Sequence, residues 1–162
     1  MIKMVRLDER LIHGQVATKW SKILDVDRIL VADDLSAGNE TIKKSLMMAA
    51  PADRKTLVTT MEGAMKLCND PRSEKLKILL IVSTPDNLLR IVKEVHGIAT
   101  VNIGNYGRIA EKQNGMVRRS YTSNLYLYDS EADILKQVLE TGLICNVQTI
   151  PDDQPRSLKS II

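Results

Sequence analysis

The chain lacks most of the features that would place it in a specialised class. No apolar stretch approaches the roughly 20 residues needed to cross a bilayer; the most apolar, Ile78-Leu79-Leu80-Ile81-Val82, has the length and branching of a buried strand. Cysteine is scarce. Cys68 and Cys145 lie in periodic apolar segments without CxxC spacing, which fits buried thiols in a reducing compartment rather than a disulfide or metal site. The start of the chain has neither the apolar core nor the small-residue cleavage site of a secretory signal, so a cytoplasmic location is expected. No His/Cys/Asp/Glu spacing suggests a metal. Neither GxGxxG after the first strand nor a Walker sequence is present, which leaves nucleotide binding without a motif. Charge is nearly balanced, and a net +3 is too small to argue for nucleic acid.

What remains is an ordinary globular composition. With 162 residues, 44% hydrophobic and 27% charged, the chain can bury its own core, and the absence of linkers, repeats and low-complexity segments predicts a single domain over 1–162. Strand-like and helix-like patterns alternate almost throughout. This predicts an α/β fold, an open and mainly parallel sheet of about seven strands with helices on both faces.

The expected strands are Ile2 to Leu7, Arg28 to Ala32, Lys55 to Thr59, Lys77 to Val82, Ile98 to Ile103, a more polar one from Ser120 to Tyr128, and Leu143 to Ile150. Between them, Val16, Trp20, Ile23 and Leu24 repeat at helical spacing. Ser36 is expected to cap a helix running to Ala50 before Pro51. Further helices are expected from Met61 to Cys68, from Pro85 to His96-Gly97, and from Ser130 to Thr141, with a short tail helix from Gln154. Asp33-Asp34 reads as helix capping. His96 reads as a favourable contact with a helix C-terminus.

In such a sheet ligands gather beyond the carboxyl ends of the strands. Three expected loops share that edge: the one holding His13, Asp33-Asp34, and Gly104 to Arg108. The first is the most informative. Val5-Arg6-Leu7-Asp8-Glu9-Arg10-Leu11-Ile12-His13-Gly14-Gln15-Val16 puts a histidine between a strand and a helix, with Arg6 and Arg10 nearby.

A lone histidine is most often a surface residue, but here the surroundings suit a phosphoryl group. Imidazole offers a nucleophilic nitrogen near neutral pH. Arginines pair with phosphoryl oxygens, and a helix starting at Gly14 or Gln15 would aim free N–H groups at an anion. Either Asp8 or Glu9 could accept the other ring N–H, or be a turn residue. The positive excess of the chain lies in this segment, since Lys3, Arg6, Arg10, Lys19 and Lys22 outnumber Asp8 and Glu9 by three. A second basic cluster, Arg108, Lys112, Arg118 and Arg119, reads as solvated surface.

Arg6 to Val16 resembles the phosphorylation-site motif of the IIB subunits of the mannose/fructose/sorbose class of bacterial sugar phosphotransferase systems (PTS). The similarity extends to Ala17-Thr18-Lys19-Trp20, to the strand ending in Asp33-Asp34, to the helix up to Ala50-Pro51 and to Val101-Asn102-Ile103-Gly104. The length matches a stand-alone IIB domain. Asn105-Tyr106-Gly107-Arg108 departs from the glycine-methionine ending common in the mannose branch.

The resemblance implies that His13 accepts a phosphoryl group on Nδ1 from a IIA phosphohistidine and passes it to a sugar brought in by the membrane subunits IIC and IID. Arg6 and Arg10 would steady that group, with Asp8, Gly14 and Gln15 in support. It also implies peripheral association with the membrane transporter, and no cofactor, metal or nucleic acid. A homo-oligomer is compatible with this reading, and so is a catalytically silent regulatory module of the same fold that docks on a transporter or regulator.

Overall fold

The computed structural model describes residues 1–162. In chain order its elements are β1 (Ile2–Leu7), α1 (Val16–Ile23), β2 (Arg28–Ala32), α2 (Asp34–Ala37), α3 (Glu40–Ala49), β3 (Lys55–Thr59), α4 (Met61–Asn69), β4 (Ile78–Val82), α5 (Pro85–Glu94), β5 (Val101–Ile103), β6 (Arg119–Thr122), β7 (Leu125–Leu127), α6 (Asp129–Glu140), β8 (Cys145–Val147) and β9 (Arg156–Ser157). Short 3₁₀ turns span Pro71–Lys75 and Leu158–Ser160.

Seven strands form the main sheet, in the order β3-β2-β4-β1-β5-β8-β9. All neighbours are parallel except β9, which runs antiparallel to β8. The branched apolar run of β4 is buried along its whole length, as a strand covered on both faces requires. Side chains of α4, α5 and α6, including Met65, Ile91 and Leu135, pack in one core with Leu7, Leu80 and Ile103. Ala17 and Trp20 of α1 and Leu46 of α3 join Ile29, Val31 and Ile81 in the core on the other face.

This arrangement sets the position of the site. The chain leaves β1 for β2 by way of α1, on one face, and leaves β5 for β8 by way of α6, on the other. Since β1 and β5 are neighbours, the strand order reverses between them, and this switch point is where an open α/β sheet forms its crevice. Backbone bonds from Gly104 N–H to the Leu7 carbonyl (2.8 Å) and from Glu9 N–H to the Asn105 carbonyl (2.9 Å) close its base.

Several local expectations are corrected. Asp33, not Ser36, caps the helix after β2, accepting from Ser36 N–H, and that helix breaks at Gly38 before Asn39 caps α3. The expected strand from Ser120 to Tyr128 folds back on itself at Ser123-Asn124, so β6 and β7 pair as an antiparallel hairpin outside the main sheet. Where a tail helix was expected from Gln154, β9 extends the sheet and only a 3₁₀ turn follows. Helix α5 ends at Glu94, which leaves His96 beyond it, exposed, with its N–H bonded to the Asn69 side chain.

Candidate functional site

Strand β1 delivers Arg6 and Asp8 to the carboxyl edge of the sheet, and the chain then turns sharply before α1. Leu11 (φ 61°) and Gly14 (φ 50°) take left-handed conformations on either side of the turn that holds His13. The imidazole is partly exposed, its side chain 21% accessible. Gly14 and Gln15 are exposed beside it, with Gln15 at the N-cap of α1 and no side-chain cap there. Val16 N–H bonds the His13 carbonyl at 3.3 Å, which leaves the N–H groups of Ala17 and Thr18 without a side-chain cap.

His13 Nε2 lies 3.0 Å from Oδ2 of Asp8, a fully buried carboxylate. An ionised carboxylate only accepts, so Nε2 carries the ring proton and Nδ1 holds the free lone pair. Asp8 Oδ2 also receives the Arg6 guanidinium at 2.8 Å and Asn105 Nδ2 at 3.3 Å, and Oδ1 receives Arg10 N–H at 3.0 Å. Burial alone would raise the Asp8 pKa. The His13 hydrogen bond, the Arg6 charge and the Arg10 N–H together outweigh it and hold the group below the usual carboxylate range.

The two arginines part company. Arg10 is exposed and its guanidinium is in no ion pair. Arg6, expected beside it at the phosphoryl group, is only 1% exposed. Its guanidinium is bonded to Asp8, the Asn102 side chain and the Gln148 carbonyl, and lies over the Trp20 ring. Burial pulls the Arg6 pKa down, against the stabilising charge of Asp8. Gly104 makes room for this buried group, because a Cβ there would collide with the guanidinium.

Glu9 has a different task from Asp8. Its carboxylate accepts the backbone N–H groups of Gly107, Arg108, Ile109 and Ala110, at 2.9 to 3.3 Å, and so fastens the loop after β5 to the His13 turn. The far end of that loop is fixed by Arg118, which pairs with Glu131 at 2.9 Å and stacks on Tyr106 and Tyr128. The second basic cluster is thus partly internal: Arg118 holds α6, and only Arg119 forms an exposed pair, with Asp129.

Sequence reasoning did not find Asn102, Asn105 or Gln148, which meet Arg6 and Asp8 across separations of about a hundred residues or more. Asn102-Ile103-Gly104 stood in the similar segment, which was the one signal available. Asp33 and Asp34 are engaged structurally, the first with Ser36 and Ser83, the second with Met61 N–H. No group of three His, Cys, Asp or Glu side chains is placed to hold a metal ion.

Residues 2–162 match the family model described as PTS system sorbose subfamily IIB component. A probable phosphotransferase enzyme IIB component of Streptococcus pyogenes is 37% identical over 139 residues, 86% of this chain and 85% of that protein. The mannose-specific EIIAB component of Escherichia coli K12 is 26% identical over 162 residues, all of this chain and 48% of that protein. Among solved structures, the IIBSor domain of the Klebsiella pneumoniae sorbose permease superposes with a TM-score of 0.88 at 26% identity, covering 99% of this chain and 94% of that one.

Proposed function

The chain belongs to the sorbose subfamily of PTS IIB components, and from that premise we propose that it carries a phosphoryl group on Nδ1 of His13, taken from a IIA protein and given to a sugar held by membrane IIC and IID subunits. The observation that carries the reading is the 3.0 Å contact of Nε2 with Asp8, which leaves Nδ1 as the nucleophile on the partly exposed side of the turn.

In the first half-reaction the Nδ1 lone pair attacks phosphorus as the P–N bond to the donor histidine breaks. The ring becomes a phosphohistidine whose Nε2 proton stays on its bond to Asp8. Charge spreads over the equatorial phosphoryl oxygens in transit, so catalysis is mainly positioning and neutralisation. Arg10 is the side chain free to meet those oxygens, and the uncapped N–H groups at the start of α1 follow directly on the His13-Gly14 turn. Arg6 serves as a positioning residue, fixing the Asp8 carboxylate that in turn fixes the ring. In the second half-reaction a sugar hydroxyl attacks phosphorus and releases its proton to water as the P–N bond breaks, and the P–N electrons return to Nδ1. Dividing one transfer into two is the use of the covalent intermediate.

Both partners must reach one basic face in turn, so acidic docking surfaces with fast exchange suit the IIA and IIC/IID subunits. The E. coli relative, whose name joins IIA and IIB, supports IIA as donor. Work of this kind places the protein in the cytoplasm, at the membrane transporter, and no helix is long and apolar enough to cross the membrane itself.

Incubation with the general phosphotransferase proteins, a IIA protein and phosphoenolpyruvate should give acid-labile phosphate on His13, with nitrogen NMR assigning it to Nδ1. Undiminished labelling of His13→Ala would remove the assignment. Sugar phosphorylation in membranes containing IIC and IID separates a working carrier from a silent docking module.

A further inference from the structure

A sizeable cavity lies away from the histidine edge. It lies at the opposite end of β2 and β3, where a groove of about 690 Å³ runs between these strands, α4 and the 3₁₀ turn at Pro71–Lys75. On edge strand β3, Leu57 is 44% exposed and lines the groove. With Leu30 and Leu67 it gives the groove an apolar floor.

The rim is cationic. Arg28, Lys55 and Lys66 all border the groove, and none has a carboxylate partner within ion-pair distance. The one acid present, Asp70, is bonded by both its oxygens to Arg72. Three uncompensated cations around an apolar floor disfavour a symmetric pairing of two copies through this face, which would set like charges against each other. They are well suited to a small molecule with an apolar body and an anionic group. The volume falls within the ~300–1,000 Å³ typical of small-ligand sites, and α4 and the 3₁₀ turn wall the groove off on two sides above the sheet.

We propose that this groove binds a small organic anion, an apolar or aromatic body bearing a phosphate, sulfonate or carboxylate. The body lies against Leu57 and Leu67, and the anion sits between Lys55 and Lys66. The site is separate from the His13 turn, and its occupancy does not depend on phosphoryl transfer.

The probe is anilinonaphthalene sulfonate, an aromatic body with one anionic group, titrated by fluorescence against the folded protein. It should bind at one site, with amide shift changes centred on β3 and α4, and inorganic phosphate should compete only weakly. Leu57→Asp and the double variant Lys55→Glu/Lys66→Glu change exposed side chains, so thermal melting should be retained while affinity falls about tenfold or more from the lost contact and reversed charge. His13→Ala should bind as the parent does. The proposal fails if the dye does not bind, if its shift changes map elsewhere, if neither set of substitutions weakens it, or if phosphate competes as well as the dye binds.

Discussion

The guanidinium of Arg6 donates at 2.8 Å to Oδ2 of Asp8, the same oxygen that lies 3.0 Å from His13 Nε2. A single buried carboxylate therefore links a wholly internal cation to a ring that reaches solvent. Removing the Asp8 charge should affect both sides of the link. Asp8→Asn leaves the Arg6 charge uncompensated inside the protein, at a cost of about 3–5 kcal/mol. It also lets an amide N–H meet Nε2, which favours the wrong tautomer and should slow phosphoryl transfer on the order of 10²–10⁴-fold. Adding Arg6→Met should recover much of the stability in denaturant titrations and none of the transfer rate. Recovery of both would show that Asp8 acts only structurally.

Arg10 offers the complementary case. Its side chain is exposed and unpaired, so Arg10→Ala should leave thermal stability within ~0.5 kcal/mol of the parent. If the guanidinium meets the phosphoryl oxygens in transit, rapid-quench measurements should show transfer slowed by about 10²-fold, comparable to losing one oxyanion donor. A rate equal to the parent's would take Arg10 out of the mechanism.

The contrast between these arginines shows where sequence stops being sufficient. Strand β1, β2 and β3 were legible to the residue because runs such as Arg28 to Ala32 are short, branched and bounded by turn residues. The histidine turn was legible because its motif is contiguous. Arg6 was harder: a charged residue in a strand buried on both faces must have internal partners, and these are Asn102 and the Gln148 carbonyl, brought in by β5 and the chain after β8. Nothing local distinguishes Asp8 from Glu9 either. Their neighbours across the crevice decide it, the ring and guanidinium for one, four backbone N–H groups for the other. The β6–β7 hairpin went unread because its two-residue turn, Ser123-Asn124, interrupts a segment whose strands are only four and three residues long.

The pH dependence of stability should have two limbs. Asp8 and Glu131 are each pushed up by burial but held below their ordinary values by stronger combined interactions, His13 and Arg6 for Asp8, Arg118 and Tyr106 for Glu131. With folded pKa values depressed, the native state binds fewer protons than the unfolded chain in acid. Their contribution is thus complete above the ordinary values of 3.8 and 4.5 and is lost as pH falls through the lower folded values. Tyr106 is the reverse: burial, then its bond to Glu131, raises it above its ordinary 10.0. Its contribution is complete below that pH and is lost as pH climbs through the raised value. Urea midpoints should therefore fall in strong acid and again in alkali, where the thiols of Cys68 and Cys145, pushed up to about 11 by burial, add to Tyr106; Tyr106→Phe should shrink the alkaline limb without abolishing it and, by removing a bond to Glu131, trim the acid limb as well.

Glu9 makes the loop after β5 depend on the histidine turn. Four backbone N–H groups converge on its carboxylate, the shortest, from Gly107, at 2.9 Å, and Gly107 itself sits at φ 100°, where any side chain is strained and would strike Tyr126. The loop is thus shaped to present donors to an anion, and Glu9 supplies that anion from within the chain. Glu9→Gln keeps the shape and removes the charge, which should loosen the loop by about 1.5–3 kcal/mol, the range for hydrogen bonds to a charged group. Hydrogen exchange should then accelerate at residues 107–110, while the centre of β4, buried on both faces, should exchange as before. Transfer from IIA should slow only if the fastened loop belongs to the docking face; an unchanged rate with faster exchange would assign the Glu9 contacts to loop stability alone.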